Sequence, residues 1–219
     1  MDPTCTLILP CRDEAAALPE VIARVPAGLE ILVVDNGSSD GTAAVARALG
    51  ARVVAEPQPG YGAAVHAGVE AATTELIAVM DGDGSFRADD LVPLIDDVVR
   101  GRARMAVGRR RPVRRGIWPW HARLGNQVVI AILRSRSGFP LHDIAPARVC
   151  RRADLIALGV ADRRFGYPLE LMSRASAAGW TIVEHDLAYY PRARGTRSKV
   201  SGSVRGTLRT AHDFLTVLR

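Results

Sequence analysis

Lysine is almost missing from this chain. Of 29 basic residues only Lys199 is a lysine. Arginine carries a planar fork of donors that matches carboxylate and phosphate oxygens, so a basic set made almost wholly of arginine points toward anionic ligands, the plain alternative being arginine-rich usage from genome composition. Cysteine is scarce too. Cys5, Cys11 and Cys150 are odd in number and include no Cys-x-x-Cys pair, which excludes a disulfide framework and a zinc knuckle and fits a reducing compartment. No apolar run is longer than Val128 to Leu133, far short of the ~20 residues of a membrane-spanning helix. Met1-Asp2-Pro3 offers no basic flank to the apolar stretch behind it, so no secretory leader is expected and the cytoplasm is the expected compartment. The phosphate-binding Gly-x-x-x-x-Gly-Lys-Ser/Thr loop is absent, and Gly60-Tyr61-Gly62 fails the Gly-x-Gly-x-x-Gly fingerprint because Val65 takes the last glycine's place.

The remaining composition is that of a folded domain. Apolar residues make up 48% and charged residues 24% of 219, ordinary globular usage that excludes disorder. The net charge of +6 conceals an asymmetry. Residues 1–99 hold five basic and sixteen acidic residues, a net of −11, and residues 100–219 hold the other 24 basic and seven acidic, a net of +17. Carboxylates for a metal at the front and guanidiniums for phosphates at the back are the functional reading. A solvated basic face is the plain one.

Short apolar runs alternate with helical patterns through the first half. Thr6–Leu9, Ile31–Val34, Val53-Val54, Leu76–Met80 and Met105–Val107 read as buried strands, and helices are expected between them. Beyond residue 108 the pattern is less regular. A basic loop is expected over 109–120, helices over 122–133, 168–178 and 204–218, and strands over 143–150 and 180–184. Strands that are apolar throughout and separated by helices predict an α/β fold, a mostly parallel doubly wound, Rossmann-like sheet with helices on both faces. One domain over 1–219 is expected, with its halves meeting near residue 107. In such sheets ligands bind beyond the carboxyl ends of the strands. Three strands end in Cys11-Arg12-Asp13-Glu14, Asp35-Asn36-Gly37-Ser38-Ser39-Asp40 and Asp81-Gly82-Asp83-Gly84.

Asp81 and Asp83 are two apart, so in extended backbone both carboxylates reach one site. Hard oxygen ligands of this kind suit Mg²⁺ or Mn²⁺ shared with substrate phosphates. The plain alternative is a solvated Asp-Gly turn. Asp35 can accept from a ribose hydroxyl or a base edge, while Ser39 or Asp40 reads as a helix cap. The free N–H groups at the start of the helix after Gly60 can hold a phosphate, or the glycines can serve close packing. Trp118-Pro119-Trp120 suits sugar stacking, a membrane surface or core packing. The basic tail from Arg192, with apolar residues at helical spacing, suits anionic lipid or packing on the domain.

These segments, with Gly108-Arg109-Arg110, Asp143–Arg148, Phe165–Glu170 and Arg197-Ser198-Lys199, resemble family 2 glycosyltransferases of the GT-A fold, in the branch of polyprenyl-phosphate mannose and glucose synthases. The resemblance implies a nucleotide-diphosphate sugar as donor and Mg²⁺ or Mn²⁺ as cofactor, with a polyprenyl phosphate, met at the inner membrane surface, or another small phosphorylated or hydroxylated compound as acceptor. It implies that Pro10, Arg12 and Glu14 line the base pocket, that Asp35 meets base or ribose, and that Asp81 and Asp83 hold the metal. Arg109 or Arg110, Arg148 and Lys199 would meet phosphates, and Glu170 would lie near the sugar or acceptor. Departures are Arg12-Asp13 in place of Tyr-Asn, and Ala147 where the family has phenylalanine before its arginine.

The chemistry can be argued apart from the name. A cation and arginines stabilise charge on a departing diphosphate. A hydroxyl acceptor then needs a base, for which Asp143 and Glu170 are candidates, the plain alternative being that they are salt-bridge partners of nearby arginines; Asp83 counts as catalytic with them. An ionised phosphate acceptor needs none. Two other readings compete. A nucleotidyltransferase would carry a glycine-rich basic loop where Pro10–Glu14 stands, and an RNA- or lipid-binding protein would have no use for acidic strand ends that repel a polyanion.

Overall fold

The apolar runs pair into one sheet. A computed structural model describes residues 4–137 and 141–193. Its strands are β1 (Cys5–Cys11), β2 (Leu29–Asp35), β3 (Arg52–Ala55), β4 (Leu76–Val79), β5 (Met105–Pro112), β6 (Ala147–Arg151) and β7 (Ile182–Tyr189). Their order is β3-β2-β1-β4-β6-β5-β7. β1 pairs parallel with β2 and β4, β2 with β3, and β5 with β7, whereas β6 runs antiparallel to both β4 and β5. Six strands therefore share one direction and β6 alone is reversed. One edge of the sheet collects the carboxyl ends of the six and the amino end of β6.

Helices cover both faces, as expected. They are α1 (Leu18–Ala23), α2 (Thr42–Ala48), α3 (Tyr61–Ala71), α4 (Val92–Val99), α5 (Trp120–Ser137), α6 (Arg152–Ala157) and α7 (Tyr167–Ala177). Alternate strand residues divide between two cores because successive side chains point to opposite faces. Ile8, Leu32, Val34, Ile77, Val79 and Val107 pack with residues of α3, α5 and α7. Leu7, Leu9, Val33, Ala78 and Ala106 pack with Leu18, Val21, Leu94 and Val98 on the other side.

Several boundaries differ from the sequence reading. β5 runs to Pro112 through a stretch that reads as a basic loop, because Arg109 lies across from Asp186 of β7 and is neutralised there. β6 spans Ala147–Arg151 rather than 143–150, and β7 spans Ile182–Tyr189 rather than 180–184. The helix expected between β4 and β5 begins as a 3-10 turn, Ala88–Leu91, and becomes α-helical at Val92. α6 was not expected. Lys199 and the helix expected over 204–218 lie outside the described residues.

Candidate active site

The three acidic strand ends meet at the shared edge. Past Cys11 the chain turns sharply, with Asp13 in left-handed conformation (φ 54°). The Asp13 N–H donates to Ser38 Oγ, and its Oδ1 accepts from the Ser39 N–H. The Glu14 N–H donates to Thr42 Oγ1 and the Ala15 N–H to Asp40. These bonds stitch the loop after β1 to the loop after β2. Ser39 is thus tied to Asp13, and Asp40 takes the Thr42 N–H, while the residue at the start of α2 is Gly41. Asp35 is half-buried and accepts the Ser38 N–H. Arg12 is exposed, Glu14 is buried, and Pro10 is half-buried beyond the last residue of β1 that pairs with β4, so its missing N–H costs no bond on that side.

Asn36 carries a job that its sequence context does not announce. Its Nδ2 donates to the carbonyls of Glu56 and Gln58, and its Oδ1 accepts the Gly60 N–H. One side chain thereby fixes the passage from β3 to α3.

Gly82 lets the central pair form. A Cβ there would collide with Cys11 Sγ, so the turn closes against β1 only without a side chain. Cys11 marks the point of convergence. Its thiol is pushed well above the usual range by burial, and the carboxylates of Glu14, Asp83, Asp35 and Asp81 push it further. Asp81 is half-buried and raised to about 6, by burial and then by the neighbouring Asp83 carboxylate, against the pull of Arg192, Arg110 and Arg148. Asp83 is 4% exposed. Its Oδ1 accepts the Ser85 N–H at 2.9 Å and its Oδ2 meets Arg192 Nε at 2.8 Å. The segment behind β7 is laid across this turn, since the Tyr190 N–H donates to the Ser85 carbonyl and the Ala193 N–H to that of Asp83.

The arginines divide into two groups. Arg109 and Arg111 both pair with Asp186 at 2.7 Å. Arg110 forks onto Asp143 at 2.8 and 2.6 Å and lies 4.0 Å over the Trp118 ring. Beside them opens a cavity of about 410 Å³, whose lining includes Arg109, Arg110, Arg111, Arg123 and Arg134. Among the described residues no carboxylate lines it. Arg148 is different. It is 1% exposed, donates to the Ala145 carbonyl and the Tyr61 hydroxyl, and sits between the rings of Tyr61 and Tyr167. Its buried charge pulls the Asp81 carboxyl down, and its Nε finds no hydrogen-bond partner among the described residues.

At three places that the sequence leaves open, the contacts favour the plain reading. Asp143 is 1% exposed and wholly engaged, accepting the Arg110 fork, the Arg110 N–H and the Ile144 N–H, which is the role of an anchor and not of a free base. Glu170 accepts the N–H groups of Ala161 and Asp162 and pairs with Arg174 at 2.6 Å. Burial pushes its carboxyl up, but these donors outweigh burial and hold it below its ordinary value, the wrong direction for a base near neutral pH. The start of α3 is no phosphate cradle, because the Gly62 and Ala63 N–H groups are spent on the carbonyls of Arg164 and Arg163. Gly60 and Gly62 let that loop approach, and a Cβ on either would strike its backbone.

A carboxylate pair at one sheet edge beside an arginine-lined cavity is an arrangement for phosphate-rich ligands, and comparison with known proteins gives it a family. Residues 6–158 match the family described as Glycosyl transferase family 2. The chain belongs to this family. An uncharacterized glycosyltransferase of Mycobacterium tuberculosis is 55% identical over 213 residues, covering 97% of each chain. The polyprenol monophosphomannose synthase of Mycolicibacterium smegmatis is 33% identical, over 90% of this chain and 81% of that one. The crystal structure of glucosyl-3-phosphoglycerate synthase from Mycobacterium tuberculosis, in complex with Mn²⁺, UDP and glucosyl-3-phosphoglycerate, superposes with a TM-score of 0.76 at 23% identity, over 99% of this chain and 78% of that one. The glycosyltransferase fold is therefore the GT-A fold expected from the motifs.

Proposed function

We propose that this glycosyltransferase moves a hexose from a nucleotide-diphosphate sugar to the phosphate oxygen of a polyprenyl phosphate. Residues 1–107 hold the donor and the later residues the acceptor, at the inner membrane surface. The observation that carries the acceptor is the cavity beside Arg110: five arginines line it, Arg109, Arg110 and Arg111 held by Asp186 and Asp143 and Arg123 and Arg134 in no ion pair, with no carboxylate in the lining among the described residues. A hydroxyl acceptor needs a base, and the two candidates, Asp143 and Glu170, are both committed elsewhere. A phosphate is already ionised near neutral pH, so cations that orient it suffice. The Mycolicibacterium relative supports the same acceptor by its name, and a related synthase bound to Mn²⁺ and UDP-glucose supports the donor.

The residues fit a divalent cation. Asp81 and Asp83 supply hard oxygens, and the Arg192 guanidinium on Asp83 shows that the turn already accommodates a positive charge. Among the described residues no third metal-ligating side chain joins them, which suits a cation shared with a diphosphate rather than a closed protein cage. When bound, Mg²⁺ or Mn²⁺ would neutralise charge developing on the departing diphosphate. Pro10, Arg12, Glu14 and Asp35 line the approach for the nucleoside, and Arg110, fixed by Asp143 and Trp118, orients the acceptor. The test is transfer from UDP-glucose and GDP-mannose with Mn²⁺, offered to a polyprenyl phosphate and to the matching polyprenol. Transfer should require the phosphate and stop in Asp83→Asn. Equal transfer to the alcohol, or undiminished transfer in chelator, overturns the proposal.

A further inference from the structure

Helix α5 turns apolar side chains toward solvent. Trp120 is 76% exposed, Leu124 53% and Val128 52%. A spacing of four places them in one stripe along the helix. The opposite side of α5 meets the core through Val129, Ile130 and Leu133. One more exposed apolar residue, Val113, follows β5 and is 50% exposed. Arg111, Arg114, Arg115 and Arg123 are exposed around it. Between residues 98 and 142 the sequence has eleven arginines and not one acidic residue; Arg100, Arg102, Arg104, Arg109, Arg110 and Arg111 pair with carboxylates from outside that span, whereas Arg114, Arg115 and Arg123 are in no ion pair among the described residues.

The charge pattern selects the occupant. A second copy of this chain, docked through the same face about a two-fold axis, would set arginines against arginines. The chain's own residues 194–219 carry six basic residues against Asp213, so they too are repelled. An anionic bilayer matches on both counts. Its headgroups take the arginines, and its interface is where tryptophan settles, with ring in the apolar layer and N–H in water. α5 has 18 residues, yet no helix among the described residues is long and apolar enough to cross a membrane. A helix of this kind lies in the interface plane. Gln127, Ala131 and Arg134 of α5 also line the cavity, so the stripe and the cavity share one helix.

We propose that the Trp120–Leu124–Val128 face of α5 is a docking surface for an anionic lipid bilayer, with Arg114, Arg115 and Arg123 against the headgroups. This deepens the lipid-acceptor reading, but vesicle binding is measured with no sugar donor present. The test is co-sedimentation of the full chain with phosphatidylcholine vesicles, with and without phosphatidylglycerol. Binding should need the anionic lipid and weaken with salt. It should fall by about tenfold or more in the triple variant Trp120→Ser, Leu124→Ser, Val128→Ser, and by about fivefold for each charge removed in Arg114→Gln and Arg115→Gln. Circular dichroism confirms the fold of each variant, and Trp120→Phe should abolish quenching of tryptophan fluorescence by brominated lipid. Undiminished vesicle binding by the triple variant overturns the proposal. So does a wild-type dimer that the triple variant dissolves. A chain that docks but transfers nothing sinks the function reading and upholds this one.

Discussion

Asp81 is a residue whose charge the folded chain pays for, and replacing it should make the protein more stable. Its carboxyl is raised from 3.8 to about 6, by burial first and by Asp83 second. At low pH the group is protonated in both folded and unfolded chains and contributes nothing. As pH rises from about 4 to about 6, the unfolded chain releases this proton while the folded chain keeps it, so stability falls through that window. Above it the cost is complete. Two pKa units correspond to roughly 3 kcal/mol, and because Asp81 is only half-buried, solvent screening reduces the figure to about 1 kcal/mol. Asn removes the charge and keeps the shape. Asp81→Asn should therefore gain about 1 kcal/mol in urea unfolding near neutral pH, with the gain disappearing at about pH 4. The same variant should lose the joint stabilisation by Mn²⁺ and a nucleotide diphosphate in a thermal-shift assay. A variant less stable than wild type at neutral pH, or a gain of equal size at both pH values, refutes the electrostatic account. A trade of stability for binding is a frequent property of functional sites.

Three further outcomes follow from the contacts. Asp143→Ala leaves the half-buried Arg110 without its partner, so unfolding should cost about 1–3 kcal/mol less, and the double replacement Arg110→Met, Asp143→Leu should recover most of it; an Asp143→Ala chain as stable as wild type removes the anchor role. Gly82→Ala drives a methyl against Cys11 Sγ and should destabilise by about 1–3 kcal/mol, a loss that Cys11→Ala should relieve in the same urea titration. Arg192→Gln withdraws the guanidinium from Asp83, so Mn²⁺ should bind the nucleotide-free chain several-fold more tightly by electron paramagnetic resonance; weaker binding counts against competition between the two cations.

The strands were legible because their apolar runs are short, β-branched and bounded by glycine or acid. Ile31–Val34 before Asp35 and Leu76–Met80 before Asp81 gave both a strand and the end of one, and the edge rule then brought the carboxylates together. The direction of β6 was not legible. A strand buried on both faces looks the same in sequence whichever way it runs, and only pairing with β4 and β5 decides it. The burial of Arg148 was not legible, because an arginine is expected to reach water, whereas the rings of Tyr61 and Tyr167 and the Tyr61 hydroxyl receive it inside. Arg192 was read as part of a basic tail. Its partner Asp83 is remote in sequence, and no local pattern links them. The glycines at 60 and 62 carried a real signal of close approach, but what approaches is the loop at 162–164. Asn36 had a legible context and an illegible role, since the three atoms that it bonds belong to another connection.

The reversed strand has a consequence for how such a protein can change. β5 and β6 are antiparallel neighbours, and Gly108 faces Ala147. Everything between them, including α5 and most of the cavity wall, hangs from the sheet as one excursion whose two stems lie side by side. Its length and content can be exchanged without shifting the register of any other strand. The half that would recognise what is given away and the half that would recognise what receives it are therefore free to diversify separately, and a graft of this excursion between relatives is the natural way to ask for a new recipient.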